Sequence, residues 1–137
     1  MKVYKTKIKA LAGTNYKEIS KKAIGLYRQI KKKTKRRPYV RSAYFDKDKI
    51  FLGLFWSHLY DKNYWDQTRR MKFFGCGIDL ICNSRFQPTS KENPNKPEEI
   101  LHRFAGITMK GEQFFVQIKE DKKSSQKMLI SIFPTEQ

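Results

Sequence analysis

The stretch from Leu101 to Pro134, LHRFAGITMKGEQFFVQIKEDKKSSQKMLISIFP, decides the fold class. Leu101–Met109 and Gln113–Lys119 are apolar-rich runs on either side of the turn signal Lys110-Gly111, which reads as a β-hairpin. A polar tip from Glu120 to Gln126 leads into a third run, Lys127–Phe133, which Pro134 stops. Side chains alternate faces along a strand. That puts Phe114, Val116 and Ile118 on one face and Phe115, Gln117 and Lys119 on the other, and it expects Met128, Ile130 and Ile132 to share a face.

Upstream, Tyr39–Phe45 and Lys49–Leu54 flank Asp46-Lys47-Asp48 and read as a second hairpin. The region Phe55–Met71 has apolar residues at helical spacing, in one or two pieces, with Asp61-Lys62-Asn63 as the interruption. Ile78–Cys82 reads as a helical turn or a short strand. Residues 83–99, polar and punctuated by Pro88, Pro94 and Pro97, read as a long surface loop. Near the start, Asn15 and Glu18 have capping-box spacing. Ile19, Ala23, Leu26, Tyr27 and Ile30 then recur at helical spacing, predicting an amphipathic helix that ends around Lys33 to Lys35, ahead of Pro38. Residues 2–10 fit a strand or a helix equally. The expected class is α+β, with N-terminal amphipathic helices packed on a twisted antiparallel β-sheet.

The chain has 137 residues, 39% hydrophobic and 14% aromatic, which fits one domain and argues against wholesale disorder. Its longest apolar run, Ile50 to Trp56, falls far short of a membrane span, and no secretory signal is visible, so a cytoplasmic protein without membrane attachment is expected. Cys76 and Cys82 read as reduced thiols.

Thirty Lys and Arg face 13 Asp and Glu, a formal charge of +17. The excess is not spread evenly. Residues 1–38 hold 14 basic residues against the single acid Glu18, or +13, leaving +4 for residues 39–137. The expected organisation is therefore a basic N-terminal helical segment, 1–38, joined to an α+β body, 39–137, in one compact domain. Dense basic charge collects polyanions by releasing condensed counterions. Lys21, Lys22, Arg28, Lys31, Lys32, Arg36, Arg37 and Arg41 are the candidate RNA-binding residues. Anionic lipid and an acidic protein partner remain open on charge alone.

No glycine-rich phosphate loop, Gly-x-Ser-x-Gly elbow or acidic two-metal cluster is present. Phosphodiester cleavage by this chain would therefore proceed without a metal or other cofactor. Such cleavage points to RNA, whose 2′-hydroxyl is a built-in nucleophile, and needs proton-transfer groups and cations. His58, Arg69, Arg70, Thr108 and Ser131 are the candidate catalytic residues. In a continuous helix the eleven residues between His58 and Arg69 would be three turns, placing both on one face.

Phe55-Trp56-Ser57-His58-Leu59, Arg69-Arg70, Gly77-Ile78-Asp79-Leu80-Ile81, and Phe104-Ala105-Gly106-Ile107-Thr108 through Ile132-Phe133-Pro134 together resemble the barnase–EndoU–colicin E5/D–RelE-like nuclease superfamily. The likeness is greatest to its phage- and mobile-element-associated branches and spans roughly residues 39–134. The resemblance implies metal-independent RNA cleavage to a 2′,3′-cyclic phosphate, acting on tRNA, mRNA or ribosome-bound RNA. It also implies a toxin role with a neutralising, acidic antitoxin or immunity partner. It would put His58 and Arg69 on the helical side of a cleft and Thr108 and Ser131 on the sheet. No evident Glu–His pair of the barnase-like kind stands out in the chain. The alternative reading is a non-catalytic nucleic-acid-binding module that uses the basic helix.

Overall fold

Asn15 starts the first helix as its spacing predicts. Its side chain accepts the Glu18 N–H at 2.8 Å, and α1 runs Tyr16–Lys32 with Lys33 as C-cap. Ile19 and Ala23 are the fully buried positions of α1, while its lysines face solvent. In this computed structural model, which describes residues 2–135, α1 is preceded by the short strand β1 (Val3–Lys5). The order then continues β2 (Tyr39–Arg41), β3 (Lys49–Phe51), α2 (Gly53–Tyr60), α3 (Tyr64–Met71), α4 (Phe74–Asn83), β4 (Thr89–Asn93), β5 (Lys96–Ile107), β6 (Gln113–Asp121) and β7 (Lys127–Pro134). The mixed α and β content agrees with the class read from sequence.

The sheet differs from that expectation. Its order is β1-β5-β6-β7-β3-β2, with β4 also paired to β5. The β4–β5–β6–β7 and β2–β3 pairings are antiparallel, but β1–β5 and β3–β7 are parallel, so the sheet is mixed. Strands far apart in sequence join here, and hairpin signals carry no information about such joins. The helices are not N-terminal as a group either. Three of the four described helices lie between β3 and β4.

The polar stretch 83–99 is also corrected. It holds β4 and the start of β5, a hairpin with Asn93 opposite Lys96. All of β4 but Asn93 is exposed, so the alternation that reveals a half-buried strand is missing. The second expected hairpin is present but short, since helix α2 already begins at Gly53. Residues 61–63 do interrupt the helical region. Asn63 caps α3 by accepting the Asp66 N–H at 2.8 Å. Ile78–Cys82 is helical, inside α4.

On β7 the buried residues are Lys127, Leu129 and Ile132, so of the expected face of Met128, Ile130 and Ile132 only Ile132 points inward. A register shift opposite Gln117/Ile118 pairs Ser131 with Gln117 and Leu129 with Ile118, and the extra residue changes the phase of the strand. One sheet face, carrying Phe104, Phe114, Val116, Ile118, Leu129 and Ile132, is buried in the core together with residues of all four helices. Helix α4 lies so close to β7 that a Cβ added at Gly77 would sit 2.3 Å from Ile132 Cδ1. Buried Asp79 ties β1 to this helix. It accepts the Tyr4 hydroxyl at 3.1 Å and the Lys7 N–H at 2.8 Å, and burial followed by this carboxylate pushes the Tyr4 pKa up to about 12.

Candidate nucleic-acid interface

The opposite sheet face carries Arg103, Phe115, Gln117, Ser131 and Phe133, as strand alternation and the register dictate. Here the structure brings together two of the residues singled out from sequence. Arg70 Nη1 on α3 donates to Ser131 Oγ at 2.9 Å, although 61 residues separate them. The same guanidinium lies 5.4 Å from the Phe133 ring centre, and Arg103 lies 5.5 Å from both Phe133 and Phe115. Arg103 also donates to Gln117 Oε1 at 3.2 Å. One aromatic ring therefore holds two guanidinium groups. Cation–π contact fixes their planes while leaving N–H edges for an anion.

The charges of the two arginines are balanced differently. Asp66 accepts from Arg70 Nε at 3.2 Å and from Arg69 Nη2 at 3.3 Å, holding both arginines on α3. Among the described residues, no carboxylate pairs with Arg103, and its side chain is exposed. The buried Arg69 Nε has no hydrogen-bond partner within the described structure. A cationic group without an acid, beside a hydroxyl and an amide, is suited to a phosphate.

A separate cavity of about 870 Å³ beside α3 is lined, among others, by Tyr16, Tyr64, Trp65, Arg69, Glu112 and Pro134. Tyr64 and Trp65 are 70% and 71% exposed. Tyr64 packs on Tyr16 with centroids 4.6 Å apart, and Arg69 lies 5.0 Å from the Trp65 ring. Exposed flat rings next to a guanidinium are chemically suited to unpaired bases.

The other sequence candidates fall elsewhere. His58 sits in the last turn of α2 and is exposed. The break at 61–63 removes the continuous helix that would have set it on one face with Arg69. Both α2 and α3 nonetheless pack on β7. Thr108 is buried in the β5–β6 turn, where its hydroxyl bonds Glu112 Oε1 and the Glu112 N–H at 3.1 Å each, a turn-closing role. Lys21, Lys22, Arg28, Lys31 and Lys32 lie exposed on α1. Of these, Lys22 is engaged by Glu18 at 3.2 Å and the Ala12 carbonyl at 3.0 Å. Arg36 and Arg37 are exposed between α1 and β2. Arg41, exposed on β2, donates to the Lys47 carbonyl at 2.9 Å.

Sequence reasoning missed Arg103, Gln117 and Phe133 as site residues. Period-two alternation puts Gln117 and Arg103 outward, but only the register makes them neighbours. It also missed a Glu–His pair. His102 Nε2 meets Glu120 Oε1 at 2.7 Å and His102 Nδ1 meets Ser90 Oγ at 2.6 Å. This pair lies on the core side of the sheet, against the Phe45 ring at 5.0 Å, on the face away from Arg103 and Ser131. Among the described residues no group of three or more His, Cys, Asp or Glu is arranged to hold a metal ion, and no helix is long and apolar enough to cross a membrane. Comparison with protein-family models, curated proteins and solved structures finds no match to this chain.

Proposed function

We propose that this chain binds RNA on the open sheet face and cleaves it without a metal ion. The observation that carries the reading is the Arg70–Ser131 contact, with Arg103 beside it on the Phe133 ring. Attack by the 2′-hydroxyl on the adjacent phosphorus forms a phosphorane with extra negative charge. The 5′-oxygen then leaves, giving a 2′,3′-cyclic phosphate and a 5′-hydroxyl. Arg103 and Arg70 would hold the non-bridging oxygens and stabilise that charge, an effect worth about 3–4 kcal/mol for one well-placed donor. Ser131 would orient the phosphate. His58 is the proton-transfer group assigned by this reading, taking the proton of the attacking 2′-hydroxyl and returning it to the departing 5′-oxygen. A role as a toxin held in check by an acidic partner belongs to the same proposal.

A specific observation favours the second reading, a binding module without catalysis. Among the described residues, no hydrogen bond joins an imidazole to Arg70, Arg103 or Ser131, and the hydrogen-bonded imidazole lies on the other face. Labelled RNA incubated in EDTA with the wild-type protein, Arg70→Ala, Ser131→Ala and His58→Ala separates the two. Cleavage lost in the variants with binding retained supports the enzyme. Salt-sensitive binding with every RNA left intact supports the module.

A further inference from the structure

The hairpin β2–β3 carries a second group of cations that turn to rings instead of carboxylates. Register places Tyr39 opposite Phe51 and Arg41 opposite Lys49, so these four side chains form one patch on one face. Val40 and Ile50 take the other face, toward the core. Tyr39 and Phe51 meet edge to face with centroids 6.1 Å apart. Arg37 lies 4.0 Å from the Phe51 ring centre, and Lys49 and Arg41 lie 4.7 and 5.4 Å from that of Tyr39. Lys33, Lys35 and Arg36 complete a cleft of about 480 Å³ whose lining holds no acid. No ion pair within the described residues neutralises Arg37, Arg41 or Lys49. Like charges gathered this closely repel one another, so a polyanion is their natural complement.

The pairing with β7 tells where this cleft points. Phe51 is the register partner of Met128, and Met128 of Lys119. Ile50 and Lys127, the preceding partners, are buried on the core side. Tyr39 and Phe51 therefore share the open sheet face with Gln117, Ser131 and Phe133. Ser131 is one strand over from Phe51 and three residues further along, about 11 Å away at ordinary strand spacing and rise.

We infer that the cleft is a base-and-phosphate subsite for single-stranded RNA, continuous with the Arg70–Ser131–Arg103 cluster. A base stacks on the Tyr39 ring, beside Phe51, which stands at 70° to it, and its flanking phosphates lie on Arg37 and Lys49. This rests on the reading that RNA is the ligand, and it adds that the RNA is unpaired. A base inside a duplex is stacked on both faces by its neighbours and leaves none for Tyr39. An acidic peptide or anionic lipid would use the charges and leave the rings idle.

The probe is a fluorescein-labelled 2′-O-methyl uridine 20-mer, which cannot be cut through its 2′-oxygen, compared by anisotropy with a 2′-O-methyl duplex of equal length. The single strand is expected to bind more tightly than the duplex. Tyr39→Ala should weaken it by about 5- to 160-fold, and Tyr39→Phe, which keeps the ring, by less than about twofold. Arg37→Ala/Lys49→Ala should lower the slope of log K against log salt by about 1.4. Thermal melts verify that each variant is folded. Single-strand binding unchanged in folded Tyr39→Ala and Arg37→Ala/Lys49→Ala, but lost in Arg103→Ala, overturns the subsite and leaves the RNA reading standing. Equal affinity for single strand and duplex also overturns it. Absence of binding to either probe, with capture by phosphatidylserine vesicles or polyglutamate, overturns both readings.

Discussion

Gly106 on β5 faces Phe114 on β6 as a direct register partner, and the ring lies over the missing side chain. A Cβ built at Gly106 would stand 2.4 Å from Phe114 Cζ, 2.7 Å from Cε1 and 2.9 Å from Cε2. Relief needs a shift of about 1 Å to regain carbon–carbon contact. Phe114 has little room for it. It is fully buried, with Phe73 packed against it at 5.6 Å between centroids. Overpacking of this kind costs about 1–3 kcal/mol. With an unfolding entropy of roughly 2.1 cal/mol/K per residue, a chain of this length loses about 3.5 °C in Tm per kcal/mol. Gly106→Ala should therefore melt about 3–10 °C lower by circular dichroism. In the double variant Gly106→Ala/Phe114→Leu the clash is gone, so it should melt no more than about 2 °C below Phe114→Leu alone. A Gly106→Ala Tm within 1 °C of wild type, or full additivity in the double variant, would refute the placement of the ring.

Gly25 is the contrasting case. It lies inside α1 with nothing within 4 Å of an added Cβ, so Gly25→Ala should raise stability by about 0.5–1 kcal/mol in a urea titration. Burial pushes the Cys76 thiol up to about 11 and also raises Cys82, but only Cys82 is exposed. Iodoacetamide at pH 8 should label Cys82 slowly and Cys76 only after denaturation, as mass spectrometry of the peptides will show. Tyr4 and Cys76 both hold their protons longer in the folded chain than in the unfolded one. Their contribution is complete below the ordinary values near 9 and 10 and is lost as pH rises through about 11 and 12, so stability should fall over that alkaline window. Tyr4→Phe should flatten the upper part of the fall. An unchanged profile would count against the buried phenol.

Elements with strong local signals were legible in the sequence. The Asn15 cap, the Asp61–Asn63 break and the β5–β6–β7 meander each depend on residues a few positions apart. What depended on distant partners was not legible. The parallel joins β1–β5 and β3–β7 have no local code, and the polar β4 carries no alternation. The site shows the same division. Arg70 and Ser131 were identifiable by residue type, and the structure joins them. Arg103 enters only because cross-strand register sets it beside Gln117, and the inward phase of β7 changes at a register shift that nothing in Lys127–Phe133 announces. The alignment of His58 with Arg69 held only for a continuous helix, and Asn63 starts a new one.

The most direct test of the central claim is the chemistry of the cut ends. The wild-type protein is incubated in EDTA with a uniformly ribose RNA and with its 2′-O-methyl counterpart, and the termini are identified by mass spectrometry. The account predicts fragments ending in a 2′,3′-cyclic phosphate and beginning with a 5′-hydroxyl from the ribose strand alone, and loss of those fragments in Arg70→Ala. An intact ribose strand, or equal cleavage of both strands, would contradict it.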